Sequence, residues 1–136
     1  MTVNKNTKFL IVGLGLLGGS YARGLTEKGY YVEAITKNQE DCDYALEHEM
    51  VKKCSTEPDE EMIKNADIII FALYPDIFLK WIQEHGNKIK PGTVLTDVTG
   101  VKECIVDKIQ TMLPPMVEFI SAHPMAGREV YGIRNS

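Results

Sequence analysis

Three groups of residues in this chain have the types and spacing to do chemistry. His123 follows a short expected strand, Glu118 to Ala122, and precedes a proline. The proline holds the histidine's own backbone extended. A histidine at a strand end can take the proton of an alcohol as hydride leaves the same carbon. By spacing alone, a lone loop histidine serves as well in a structural or solvated role. The second group is Asp97-Val98-Thr99-Gly100-Val101-Lys102. Here Thr99 is placed to cap a following helix, and Lys102 stands against that helix's dipole. The third group is Gly13, Gly15 and Gly18, a G-x-G-x-x-G directly after the apolar run Phe9 to Val12. Such glycines permit a tight turn, close approach of a pyrophosphate and close packing of helix on sheet. The N–H groups at the helix start, at Leu16, Leu17 and Gly18, then face the phosphates.

The elements that must position these groups alternate along the chain. Strands are expected at Phe9–Val12, Tyr31–Ile35, Val51–Cys54, Asp67–Ala72, Thr93–Asp97 and Glu118–Ala122. Helices are expected from Leu16 to Leu25, from the cap Asn38 to about His48, from the acidic stretch after Thr56 to Asn65, from Pro75, and from Val101 to Met112. Cys42, Ala45, Leu46 and Met50 keep helical spacing and mark a buried face. Pro91-Gly92 reads as a turn, and Pro114-Pro115 stops the last helix. The run Ile68-Ile69-Ile70-Phe71 has no alternation, so it belongs at the centre of a parallel sheet. This order predicts an α/β fold: a doubly wound, mostly parallel sheet of the Rossmann type, in one domain over residues 1–136. Its ligands would sit beyond the carboxyl ends of the strands. The loops at Gly13, Thr36, Leu73-Tyr74-Pro75, Asp97 and His123 therefore surround one crevice, with all but the last expected to touch a dinucleotide.

The end of the second strand selects the dinucleotide. An acid there would bind the ribose 2′-OH and repel a 2′-phosphate. The chain has Thr36-Lys37-Asn38 instead, and Glu33 and Glu40 are out of place. Lys37 can pair with a phosphate, which leans the choice towards NADP over NAD. It can equally be a solvated loop lysine.

Composition excludes several classes. A net charge of -4 and the lack of a basic run speak against nucleic-acid binding. The longest apolar stretch, Ile68 to Tyr74, is too short to cross a bilayer. MTVNKNTK carries no apolar signal region, so a cytoplasmic location is expected. Three widely spaced cysteines, Cys42, Cys54 and Cys104, suggest reduced core thiols rather than a disulfide frame or zinc site. No metal site is expected. His48 and His85 read as surface residues near helix ends.

GLGLLGGSYA, TDVTGVK and SAHPMAGRE, in that order, resemble the prephenate dehydrogenase family and its arogenate-specific relatives, from about Lys8 to Gly132. The resemblance implies oxidative decarboxylation of prephenate or arogenate in tyrosine synthesis. It implies His123 as the catalytic group on the substrate's ring hydroxyl. Many members have serine where this chain has Gly100, so Thr99 is a candidate substitute, one residue displaced. Arg128 stands where serine is frequent and is a candidate for a substrate carboxylate or the cofactor phosphates. Members continue into a helical domain that forms a homodimer and completes the substrate site, so this chain is expected to be a truncated cofactor-binding domain. The remaining alternatives are another NAD(P) oxidoreductase of the β-hydroxyacid dehydrogenase or imine reductase type, and a nucleotide-binding module without catalysis.

Overall fold

The computed structural model describes residues 3–98 and 103–120, with side chains from 105 onward in the second stretch. Thr99, Gly100, Lys102, His123 and Arg128 lie outside the described residues. Among the described residues six strands and five helices alternate: β1 Lys8–Val12, α1 Leu16–Glu27, β2 Tyr31–Ile35, α2 Gln39–Glu47, β3 Lys53–Ser55, α3 Glu60–Asn65, β4 Ile68–Phe71, α4 Pro75–His85, β5 Val94–Asp97, α5 Glu103–Met112 and β6 Glu118–Ile120. A single turn of 3₁₀ helix, Gly86–Lys88, follows α4. The sheet order is β3-β2-β1-β4-β5-β6, and every pairing is parallel.

The order reverses between β1 and β4, so the chain winds outward in both directions from the centre. Right-handed crossovers then put α1 and α2 on one face and the later helices on the other. Two cores follow. Tyr21, Ala22 and Leu25 of α1 and Ala45 of α2 pack with Ile11 and Val32 on one side. Met62, Ile63, Phe78, Trp81 and Ile109 pack with Leu10, Ile69 and Leu95 on the other. β4 is buried along its whole length, as its unbroken apolar run requires.

Four expectations need correction. Leu46 is exposed, because α2 buries only Cys42 and Ala45 and is too lightly seated to cover a third position. Val51 precedes the ladder: β3 pairs through Lys53, Cys54 and Ser55, since it must end level with Ile35. His85 is half-buried rather than a surface residue: its ring packs on Trp81, and burial, reinforced by Lys88, lowers its pKa. Cys42 and Cys54 are joined as a disulfide, with Cα atoms 5.6 Å apart. The two cysteines are twelve positions apart in sequence, a span that includes the end of α2 and the turn into β3, and the right-handed crossover lays one over the other. The side chain of Cys104 lies outside the described residues.

Candidate dinucleotide site

The crevice is built by hydrogen bonds that continue past the strand ends. Gly13 N–H donates to the Ile35 carbonyl at 2.7 Å, Ala72 N–H to Val12 at 2.9 Å, Thr36 N–H to Ser55 at 2.9 Å, and Val98 N–H to Phe71 at 3.0 Å. These bonds hold the four loops level at the carboxyl edge. Gly13 sits at φ +95°, where an L side chain is strained, and a Cβ there would lie 2.6 Å from the Ala72 carbonyl oxygen. A Cβ on Gly18 would run into the Gly13 carbonyl. Gly15 is different: nothing lies within 4 Å of where its Cβ would be. The first two glycines are thus required by the protein's own packing, whereas the space at Gly15 is left for something else.

The helix starts around the crevice divide in the same way. α2 is capped by Asn38, whose Oδ1 accepts from Glu40 N–H at 2.8 Å and Asp41 N–H at 3.3 Å, and its first turn carries both acids. α3 is capped by Asp59 on Met62 N–H and begins with Glu60 and Glu61. α1 has Gly15 at its cap, no side-chain hydrogen bond to its first turn and no acid there. Its amide donors and dipole remain available to an anion, which is the arrangement a pyrophosphate requires. The residues present therefore fit a dinucleotide, with Gly15, Leu16, Leu17 and Gly18 as the cradle.

The other expected contacts fall into place unevenly. Leu73 is half-buried against Gly13, its Cδ2 at 3.0 Å from the position a Cβ would take, so the loop after β4 meets the glycine turn. Tyr74 and Pro75 follow at the start of α4, and Tyr74 is 75% exposed. Leu16 is 96% exposed, an apolar side chain standing free at the crevice mouth. Thr36 is buried; Lys37 and Asn38 are exposed. Lys37 forms no ion pair among the described residues. Asn38 offers its oxygen to α2 rather than to a ligand. Asp97 ends β5 with its side chain fully buried, 1% exposed.

The structure also shows what the sequence reading passed over. A groove of about 530 Å³ runs from Gly15 and Leu16 between α1 and α2, bordered by Ser20, Arg23, Asp41 and Tyr44. Leu16, Gly19, Ser20 and Arg23 follow at the spacing of one helix face, a signal present in the sequence. Arg23 reaches across to Met50, its Nη2 at 3.8 Å from Sδ. Asp41 is the acid that borders this groove, a position that required knowing that α1 and α2 share a face. Among the described residues, no cluster of His, Cys, Asp or Glu is placed to hold a metal ion, and no helix is long and apolar enough to cross a membrane.

Comparison with known proteins gives this arrangement a family. Residues 21–136 match the model for the nucleotide-binding domain of prephenate dehydrogenase. A prephenate dehydrogenase of Lactococcus lactis is 30% identical over 131 residues, covering 93% of this chain and 36% of its own length. The arogenate dehydrogenase structure from Synechocystis superposes with a TM-score of 0.71 at 27% identity, over 78% of this chain and 37% of that one. The A. aeolicus prephenate dehydrogenase, solved with hydroxyphenyl propionate and NAD+, has a TM-score of 0.76 at 21% identity, over 93% and 44%. This chain thus spans about a third of the length of the curated relatives it matches. With six parallel strands wound both ways from an open glycine turn, and with that match over most of its residues, the chain belongs to the prephenate dehydrogenase nucleotide-binding domain family.

Proposed function

We propose that this chain is the NAD(P)-binding part of an enzyme that oxidatively decarboxylates prephenate to 4-hydroxyphenylpyruvate, or arogenate to tyrosine. The observation that carries the reading is the open, uncapped start of α1 at Gly15, in a chain of this family. When bound, the dinucleotide supplies the acceptor for the substrate's hydride. The cradle residues hold its pyrophosphate, and Leu73, Tyr74 and Pro75 wall the crevice on the far side of the glycine turn. His123 takes the ring hydroxyl's proton, Thr99 serves in place of the serine that many members carry, and Arg128 meets a substrate carboxylate. The ring carboxylate leaves as CO2, and aromatisation drives the reaction, so the protein's contribution is alignment and a proton acceptor. The enzyme acts in the cytoplasm, as a homodimer in its full-length form.

In the full-length enzyme, His123→Ala is expected to lower turnover by about 10²–10⁴ with little change in cofactor affinity. A variant retaining more than about a tenth of the rate would remove His123 from the role. The 136-residue chain itself is expected to bind dinucleotide without turnover, since only Arg128 within it is proposed to meet a substrate carboxylate. Steady reduction of NADP or NAD by this chain with prephenate or arogenate would overturn that.

Lys37 leans the site towards NADP, being an exposed cation with no ion pair among the described residues. A charge pair near 4 Å at such a place is worth roughly 1–4 kcal/mol. Lys37→Asp should therefore shift preference towards NAD by about tenfold or more. Asp41, in the groove beside Gly15, favours the second reading, in which NAD is the cofactor. Calorimetric titration of both dinucleotides against wild type and Lys37→Asp decides between them. An unmoved ratio makes Lys37 a bystander.

A further inference from the structure

Cys42 and Cys54 both lie beside the loop Thr36-Lys37-Asn38, which selects the dinucleotide in the proposed function. Cys54 stands in β3, the sheet's last strand on that side, three residues long and paired only with β2 among the described residues. Its neighbour Ser55 accepts the N–H of Thr36 at 2.9 Å. Cys42 closes the first turn of α2, and its N–H donates to the Asn38 carbonyl at 3.1 Å. Each cysteine is thus next to a residue bonded to the Thr36-Lys37-Asn38 loop, or is bonded to it directly. α2 has nine residues and buries only Cys42 and Ala45. A helix that short is marginal unless packing holds it, and the covalent tie to β3 adds to that fastening.

We propose that the Cys42–Cys54 pair is a reversible redox site: the closed disulfide fixes the loop from Thr36 to Asn38 for dinucleotide binding, and reduction to two thiols loosens it. The proposal rests on the crevice binding a dinucleotide. A low-molecular-weight disulfide such as oxidised glutathione is the oxidant. The Cys54 thiolate, on the half-buried side of the pair, attacks one of its sulfurs and expels one thiol molecule. The Cys42 thiolate then attacks Cys54 Sγ and expels the second. The protein loses two electrons and two protons, and one small disulfide becomes two thiols. Excess reduced glutathione runs the same exchange backwards.

The experiment uses Cys104→Ser protein, equilibrated with reduced or with oxidised glutathione. Free thiols are counted from the mass added by maleimide, and NADP and NAD are titrated calorimetrically in each state. Two thiols are expected in the reduced form and none in the oxidised. Ordering a loop and its side chains on binding implies a dissociation constant about 2- to 10-fold weaker in the reduced form. Cys54→Ser in the same background should bind like the reduced form in both buffers. If Cys104→Ser does not fold, wild type gives the same difference of two thiols. A thiol count that does not change between buffers, or equal affinity in the two states, overturns the redox site and leaves the dinucleotide reading standing. Absence of binding in both states overturns that reading, and this proposal with it.

Discussion

The two ends of the central strands are finished in opposite ways. Beyond the carboxyl end of β1 the chain leaves the first amides of α1 open: Gly15 faces empty space, and α1 starts without a side-chain cap or an acid. At the amino ends everything is tied. Asp67 accepts the Lys8 N–H at 2.8 Å and the Lys90 ammonium at 2.6 Å, while its own N–H donates to the Lys8 carbonyl at 2.9 Å. Thr93, fully buried, closes the same end by donating to the Ala66 carbonyl at 3.1 Å. Both ends belong to the same parallel sheet, so the contrast does not come from strand geometry. It comes from side chains present at one end and withheld at the other. Changes at the amino end should therefore cost stability alone, and changes at the carboxyl end should separate by whether the protein itself fills the space.

The glycines make the sharpest cut. Gly18→Ala places a methyl against the Gly13 carbonyl, which is backbone and cannot swing aside. The expected loss is about 3 kcal/mol or more, visible as a fall in the urea midpoint, with dinucleotide binding lost as well. Gly15→Ala should do the opposite. Its backbone has negative φ and its surroundings are open, so folding should be nearly unchanged. The added methyl occupies the approach of the pyrophosphate, and affinity should fall by about tenfold or more, about 1.4 kcal/mol. If Gly15→Ala binds as wild type does, the cradle is not where the phosphates sit.

That distinction among glycines was only half visible in the sequence. The spacing after a buried strand predicted the turn, and the apolar run at Ile68–Phe71 predicted the central strand. Both are local signals, carried by a few adjacent residues. What local signals could not carry was any pairing across the chain. Asp67 with Lys8, separated by 59 positions, depends on β1 lying beside β4. The disulfide depends on α2 folding over β3, and the expectation of free thiols failed for that reason. Leu46 kept helical spacing yet is exposed, because the pattern shows which residues share a face and not how deeply the helix sits. The Arg23 and Asp41 groove was illegible for a related cause: its two walls come from separate helices. His123, Thr99 and Arg128 rest on sequence and resemblance, being outside the described residues.

A middle case lies at the same carboxyl edge but in a helix that the protein caps itself. Asn38→Ala removes the acceptor for two amides of α2. The expected destabilisation is about 1 kcal/mol. Unlike Gly15→Ala, it should reduce stability more than it reduces affinity for a pyrophosphate, because the cradle lies on α1. A loss of binding larger than the loss of stability would mean that Asn38 contacts the ligand directly.

The smallest effect belongs to the tied end, and acid should reveal it. Burial of Asp67 works against ionisation, but the hydrogen bonds from Lys90 and from the Lys8 N–H, with the charges of both lysines, outweigh it and hold the carboxyl below the ordinary aspartate range. A carboxyl with a depressed folded pKa binds its proton more readily in the unfolded chain. Its contribution is therefore complete above the unfolded value, near 3.9, and is lost as pH falls from there through the lower folded value. Both partners keep some solvent exposure, at 38% for Lys90 and 25% for Asp67, so the contribution is about 1 kcal/mol at most. Asp67→Asn should keep the amide contact with Lys8, lose the ion pair, and show a shallower fall in stability between about pH 4 and pH 2 than wild type. High salt should narrow the gap between the two proteins at neutral pH, since the pair is partly screened. Dinucleotide affinity at neutral pH should not move, because Asp67 lies at the far end of β4 from the glycine turn. An Asp67→Asn protein whose acid unfolding curve overlays that of wild type would show that the ion pair adds nothing to this end of the sheet; one whose cofactor affinity fell instead would show that the two ends are coupled.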